Sequence, residues 1–178
     1  MKIVISGTPA SGKSTVAKEV AKRLGFKHYS MGDLQREIAN EKGISIDELS
    51  ELESKDKSLD TYIDAKQKQI GKEEDNFVLD SRLGAHFIPD AIKIFIDADP
   101  NIRVERRLKQ KRNEETFNEK EKAFETMKQR EHTDRDRFIE YYGFDFLDMF
   151  NYDKIIDSTT STVEDCAREI TGFVSDFR

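Results

Sequence analysis

Lys2-Ile3-Val4-Ile5-Ser6-Gly7-Thr8-Pro9-Ala10-Ser11-Gly12-Lys13-Ser14-Thr15 decides the fold. Its first five residues are a short run suited to a buried strand. Gly7 to Ser14 match the phosphate-binding pattern G-x-x-x-x-G-K-S/T. Thr15 to Leu24 then carry helical periodicity and stop at Gly25, a residue fit to cap a helix C-terminus. Strand, glycine-rich loop and helix, in that order, are what phosphate binding requires. The glycines let successive backbone N–H groups turn toward phosphate oxygens, and the helix N-terminus adds partial positive charge. Gly7, Thr8, Pro9, Ala10, Ser11, Gly12, Lys13, Ser14 and Thr15 are therefore the candidate ATP-binding residues. Lys13 is placed to reach the outer phosphates and the Ser14 hydroxyl to ligate Mg²⁺. Ala10 is expected to keep a negative φ, because alanine has no easy access to the left-handed region.

Outward from the loop, strand-like and helix-like segments alternate. Strands are expected at Phe26–Ser30, Phe77–Asp80, Ile92–Asp97 and Tyr152–Asp157. Helices are expected at Gly32–Asn40, Ser58–Ile70, from Pro100 through Leu108, Glu119–Tyr142 and Thr162–Phe177. Ser45-Ile46-Asp47-Glu48 has capping-box spacing and starts a further short helix. Five strands with intervening helices imply an α/β fold, a doubly wound five-stranded parallel sheet of the P-loop kinase kind, in one domain over 1–178. Ligands of such sheets sit beyond the carboxyl ends of the strands, where Ser6, Asp80 and Asp97 fall. A carboxylate at the end of the strand beside the first is suited to hold Mg²⁺ through water. Asp80 and Asp97 compete for that role, and Asp80 is preferred because Arg82 follows it.

The composition narrows the classes. Of 178 residues, 37% are charged and 36% hydrophobic, the balance of a soluble chain with long polar helices. No apolar run is long enough to span a membrane and no signal peptide precedes the first strand, so a cytoplasmic location without membrane partners is expected. The single cysteine, Cys166, precludes an internal disulfide and fits a reducing compartment. A net charge of −6 argues against nucleic acid as a partner. Yet seven of the twelve arginines (Arg103, Arg106, Arg107, Arg112, Arg130, Arg135, Arg137) lie between 103 and 137. Such a concentration in an acidic chain suits nucleotide phosphates, while Glu105, Glu119, Glu121 and Glu125 among them suit salt-bridged helices.

A GTPase switch would need an Asn-Lys-x-Asp motif and an Asp-x-x-Gly motif. Asn151-Tyr152-Asp153-Lys154 has the wrong order and Asp80-Ser81-Arg82-Leu83-Gly84 the wrong spacing. The chain is too short for a large ATPase motor. A small-molecule kinase remains, needing arginines on mobile segments to hold an acceptor and exclude water. A nucleotide-binding protein without transfer activity is the alternative outside enzymes.

Ser30-Met31-Gly32-Asp33-Leu34-Gln35-Arg36 resembles the acceptor-phosphate segment of nucleoside monophosphate kinases. Asp80-Ser81-Arg82 resembles their acid-Gly-Arg segment, with Ser81 in place of the usual glycine. Arg130-Glu131-His132-Thr133-Asp134-Arg135-Asp136-Arg137 is similar to the Arg-x-x-x-Asp-x-x-Arg lid of cytidylate kinases, and Tyr152 to Thr160 to their last strand and turn. The short stretch between Arg36 and Phe77 resembles the archaeal type. The resemblance implies a monomeric (d)CMP kinase with Mg²⁺ and ATP, an acceptor-binding segment at about 30–72 and a lid at about 112–138. It implies that Ser30, Asp33, Arg36, Arg82, Arg130, Asp134 and Arg137 bind the acceptor, with Arg137 at the cytosine edge. Asp33 could instead simply cap its helix, and Asp134 could simply pair with Arg130. Lys13, Arg107, Arg130 and Arg135 are the implied catalytic cations, with Arg135 facing ATP, and Ser14 and Asp80 the metal ligands. Leu83 stands where bacterial members carry an acid used in sugar recognition, so CMP and dCMP are both expected acceptors. An adenylate-kinase-like enzyme or another small-molecule P-loop kinase is the alternative.

Overall fold

The computed structural model describes residues 1–53, 55–56, 58–111 and 117–177. Its elements run β1 (Lys2–Gly7), α1 (Lys13–Leu24), β2 (Lys27–Ser30), α2 (Met31–Lys42), α3 (Ile46–Glu53), α4 (Ser58–Glu73), β3 (Phe77–Asp80), α5 (Gly84–Phe87), β4 (Ile92–Asp97), α6 (Pro100–Lys111), α7 (Phe117–Tyr142), a 3₁₀ turn (Met149–Asn151), β5 (Lys154–Asp157) and α8 (Val163–Ser175). The five strands form one parallel sheet in the order β2-β3-β1-β4-β5. β3 lies beside β1, which puts Asp80 opposite Ile5 and next to the phosphate-binding loop. The chain builds outward on one side of β1 and then crosses to β4 on the other. The loop after β1 therefore opens at the point where strand order reverses, the place where such sheets bind ligands.

Alternation along β1 builds both faces. Ile3 and Ile5 join Val16, Val20, Ile94, Ile96, Ile170 and Val174 beneath α1 and α8. Val4 points the other way, into a cluster with Met31, Ile63, Ile70, Phe77, Leu79 and Ile88 beneath α2, α4 and α5. β1 is fully buried from Ile3 to Ile5, as a strand covered on both faces must be. A third cluster, Leu83, Phe95, Phe138 and Phe146, ties α7 to the sheet, and Val104, Leu108 and Met127 tie it to α6. These two clusters fix the arginine-bearing helices over the carboxyl end of the strands.

The local signals operate as the residues predict. Gly25 and Gly43 cap α1 and α2 in the left-handed conformation (φ 68 in both). Ser45 and Glu48 exchange the two capping-box bonds, Ser45 N–H to Glu48 Oε2 at 2.7 Å and Glu48 N–H to Ser45 Oγ at 3.1 Å. The element limits shift from expectation by a few residues at most, and α5 and the 3₁₀ turn are additions. The start of the expected lid, 112–116, lies outside the described residues, as do positions 54 and 57 of the expected acceptor segment. Among the described residues no helix is long and apolar enough to cross a membrane.

Ala10 departs from expectation. Its φ is 61, in the left-handed region. Together with Gly12 at φ 88, it curls the loop so that the chain enters α1 at once. A non-glycine residue held there stores strain that the surrounding loop must over-determine, as happens at ligand sites. Gly7 shows the other constraint. A Cβ on it would stand 2.2 Å from the Ile96 carbonyl oxygen, so only glycine fits where the loop leaves the sheet.

Candidate active site

The loop is tied down from three sides. Thr8 Oγ1 donates to Asp97 Oδ1 at 2.6 Å, and the same oxygen accepts from Ala98 N–H at 2.8 Å. Arg106 donates to the Ser11 carbonyl (3.2 Å), the Ser158 hydroxyl (3.1 Å) and the Ser158 carbonyl (2.6 Å), and Ser158 Oγ itself donates to the Ser11 carbonyl at 2.7 Å. Asp97 is thereby a brace for the loop, and of the two strand-end carboxylates it is Asp80 that lines the cavity. Arg106, which sequence reading noticed only as one arginine in a crowd, links α6, the loop and the turn after β5.

Lys13 Nζ lies 2.9 Å from Asp80 Oδ1, and Asp80 is fully buried. Burial pushes the Asp80 carboxyl upward, but Lys13, with the Ser14 hydroxyl, outweighs it and holds the group below the usual carboxylate range. Ser30 Oγ donates to the other oxygen, Oδ2, at 3.3 Å while accepting from Asp33 N–H at 3.1 Å as the N-cap of α2. A hydroxyl and an ionised carboxylate are hard oxygen donors. They fit Mg²⁺, which takes one or two protein ligands and completes its shell with phosphates and water.

Beyond this pair opens a cavity of about 530 Å³. Pro9, Ala10, Gly12, Lys13, Ser14 and Thr15 line one side, Gly32, Gln35 and Arg36 of α2 another. Asp80, Arg82, Arg107, Arg130 and Arg137 close it. Arg82, Arg107, Arg130 and Arg137 form a buried network with three carboxylates. Asp134 is 2% exposed and takes Arg82 Nη1, Arg137 Nη2 at 3.1 Å, Arg130 Nε at 3.8 Å and the Ser50 hydroxyl at 2.8 Å. Asp47 holds Arg107 at 2.7 Å and Arg130 at 3.6 Å, and Glu53 holds Arg137 at 2.8 Å. Within this network four guanidinium groups face three carboxylates, while Asp64 brings a further carboxylate to the cavity wall, and Arg130 feels the local excess. Burial, with Arg82 beside it, pushes its pKa down to about 10, so it stays cationic at neutral pH but gains from any anion. Burial alone would push Asp134 up; Arg82, Arg137 and Arg130 hold it low.

Not every predicted residue reaches the cavity. Arg36 lines it, half exposed, with its guanidinium on Asp33 of the same helix. Asp33 and Ser30 sit at the α2 N-terminus rather than on the cavity wall. Arg103 pairs with Glu131 at 2.8 Å and does not line the cavity. Arg135 is grasped by both oxygens of Asp145, the shorter contact 2.6 Å, and does not line the cavity. Its expected ATP contact has no support in this arrangement. Asp47, Ser50 and Glu53 were missed as site residues: the capping box announced α3, but nothing in its pattern told which carboxylates would meet α7. Asp64, Gln67 and Ser81 were missed as well, and all three line the cavity from α4 and the end of β3.

The model of the cytidylate kinase-like family matches residues 2–160. The chain is 37% identical to a cytidylate kinase of Desulfurococcus amylolyticus over 176 residues, covering 98% of this chain and 92% of that one. It is 36% identical to a cytidylate kinase of Archaeoglobus fulgidus over 165 residues, covering 92% and 89%. Among solved structures, the shikimate kinase of Bacteroides thetaiotaomicron superposes with a TM-score of 0.68 at 13% identity, covering 98% of both chains, a likeness of fold alone. The fold is thus one that a shikimate kinase also adopts. The match across nearly the whole sequence is narrower, and by it this chain belongs to the cytidylate kinase-like family.

Proposed function

We propose that this chain transfers the γ-phosphoryl group of ATP to CMP or dCMP, giving ADP and the cytidine diphosphate. One observation carries the reading. Lys13 and Asp80 share a single cavity of about 530 Å³ with Arg36, Arg82, Arg107 and Arg130. One cavity lined by these cations can receive both a donor phosphate chain and an acceptor phosphate.

The loop N–H groups and Lys13 hold the β- and γ-phosphates. Ser14 and Asp80 hold Mg²⁺, which when bound neutralises charge on the phosphates. Arg36 and Arg82 grip the acceptor phosphate, the planar guanidinium giving a two-point hold. Arg107 and Arg130 face the transferring group, and Asp47 and Asp134 hold them ready until a phosphate competes for them. An acceptor phosphate oxygen attacks the γ-phosphorus as the bond to the β-bridging oxygen breaks, and that oxygen leaves on ADP. The acceptor oxygen is already ionised, so no side chain has to remove a proton, and positioning and charge neutralisation supply the catalysis. The segments at about 30–72 and 112–138 act as acceptor holder and lid. We take a monomer as the working unit and place it in the cytoplasm.

A coupled assay of ADP release with CMP, dCMP, UMP, AMP, GMP and shikimate as acceptors tests this. CMP and dCMP should be the fastest. Faster turnover of AMP would assign an adenylate kinase activity instead, and tight ATP binding with no transfer to any acceptor would make the chain a nucleotide-binding protein.

A further inference from the structure

One part of the cavity lining is built unlike the rest. Met31, Ile63, Leu83 and Phe138 give it apolar walls, and α4 brings two buried polar side chains to it, Asp64 at 8% exposure and Gln67 at 1%. Both have one side fixed and one side open. Tyr142 donates its hydroxyl to Asp64 Oδ2 at 2.5 Å, and Oδ1 carries no hydrogen bond among the described residues. Ser81 Oγ accepts from Leu83 N–H at 3.2 Å and donates to Gln67 Oε1. That donation orients the amide and leaves Nε2 with its hydrogens toward no protein acceptor among the described residues. Buried polar groups are normally satisfied, and a pair left half-satisfied on a cavity wall is arranged for a ligand. Arg137 lines the same cavity, but its fork is committed to the Ser50 carbonyl, Glu53 and Asp134, so it holds α3 against α7.

We propose that Asp64 and Gln67, the latter oriented by Ser81, read the base of the acceptor and select a 4-aminopyrimidine over uracil. This rests on the reading of the acceptor as a cytidine nucleotide. The chemistry is complementary: cytosine offers an amino donor at N4 beside an acceptor at N3, which match a carboxylate oxygen and an amide N–H₂. Uracil reverses both, placing O4 against the carboxylate and N3–H against the amide. A site built to hydrogen-bond one pattern rejects the reversed one strongly, because both buried groups are then left unpaired. Ser81 acquires a role by the same argument, since a glycine at that position could not orient the amide.

The test is a cycle between residue and base. kcat/KM is measured for wild type, Asp64→Asn and Gln67→Leu with CMP, UMP and a CMP analogue lacking the 4-amino group. Wild type should prefer CMP to the analogue by tenfold or more. Asp64→Asn should cut CMP turnover tenfold or more, leave the analogue and the KM for ATP within twofold, and collapse the CMP to UMP ratio at least tenfold. Equal losses with CMP and the analogue, or an unchanged CMP to UMP ratio, overturn the proposal while leaving cytidylate transfer intact. If Asp64→Asn does not fold, wild type and Gln67→Leu decide: equal turnover of CMP and the analogue by wild type, or an unchanged CMP to UMP ratio in Gln67→Leu, is contrary, and a tenfold gap together with a lowered CMP to UMP ratio in Gln67→Leu supports it. A wild-type chain that phosphorylates no cytidine nucleotide refutes the proposed function and this inference with it.

Discussion

Asp134→Asn removes one charge and almost no volume from the most crowded part of the site. The native carboxylate is 2% exposed and is the acceptor for Arg82, Arg137, Arg130 and the Ser50 hydroxyl. The asparagine oxygen can keep the Ser50 bond, so the loss is electrostatic. Arg130 retains Asp47 and Arg137 retains Glu53, but Arg82 has no second carboxylate among the described residues. Breaking a buried pair by removing one partner costs about 3–5 kcal/mol. Two of the three arginines keep a partner, so the lower figure, about 3 kcal/mol, is expected. For a chain of this size that corresponds to a fall in Tm of roughly 6–12 °C. Urea unfolding of wild type and variant, each with and without millimolar sulfate, checks it. Sulfate should stabilise the variant more than wild type, because it restores an anion to an overcharged cavity. A loss below about 1 kcal/mol, the range of an exposed pair, would refute the reasoning. So would equal stabilisation of both proteins by sulfate.

Further outcomes follow from the same geometry. Lys13→Ala should lower kcat by about 10²–10³-fold, the scale for losing one preorganised donor to the transferring group. It also orphans buried Asp80, so the Lys13→Ala, Asp80→Asn double variant should unfold at higher urea than Lys13→Ala alone yet remain as inactive, read by paired unfolding and turnover curves. Arg36→Ala should raise the KM for CMP about tenfold or more with little change in that for ATP; equal effects on both substrates would contradict its placement on the acceptor side. Stability should fall in acid. Asp80 and Asp134 have native pKa values below the unfolded value of about 3.9, so their contribution is full above that pH and is lost as pH falls through the native values. Asp64 opposes them: burial raises its native pKa, so its contribution is present below the unfolded value and lost as pH rises through the native one. Urea unfolding at pH 3 to 7 should show a steep acid limb, and a flat profile would be contrary.

The sheet was legible because local rules and global position agree in it. Ile3 to Ile5 and Phe77 to Leu79 are apolar runs bounded by turns, and a strand buried on both faces needs nothing more. Caps were legible for the same reason: Ser45 and Glu48 recognise one another across three residues. The phosphate-binding loop was legible as a motif, but not its backbone. Ala10 takes a left-handed φ because the loop and α1 dictate it, and no preference of alanine reveals that. The arginines show where sequence reading stops. Arg130, Asp134 and Arg137, all on α7, were named through their resemblance to the cytidylate kinase lid, and the structure gathers them. Arg135, one residue from Asp134, points to Asp145 instead. Helical phase places Arg135 about 100° around the axis from Asp134, and which face meets the cavity is set by packing such as that of Phe138 on Phe146, beyond the end of the helix, which helical periodicity does not encode. Asp47, Glu53, Asp64 and Gln67 stayed hidden because their partners lie on other elements, and a single sequence carries no record of that pairing.

Direct transfer between two substrates held in one cavity is the proposed reaction, and following the phosphorus of γ-labelled ATP in the presence of Mg²⁺, with and without CMP, decides it. The label is expected in the β-position of CDP, one CDP for each ADP, with ATP stable when CMP is left out. Label released as inorganic phosphate at the same rate with or without CMP, or never found in CDP, would contradict it.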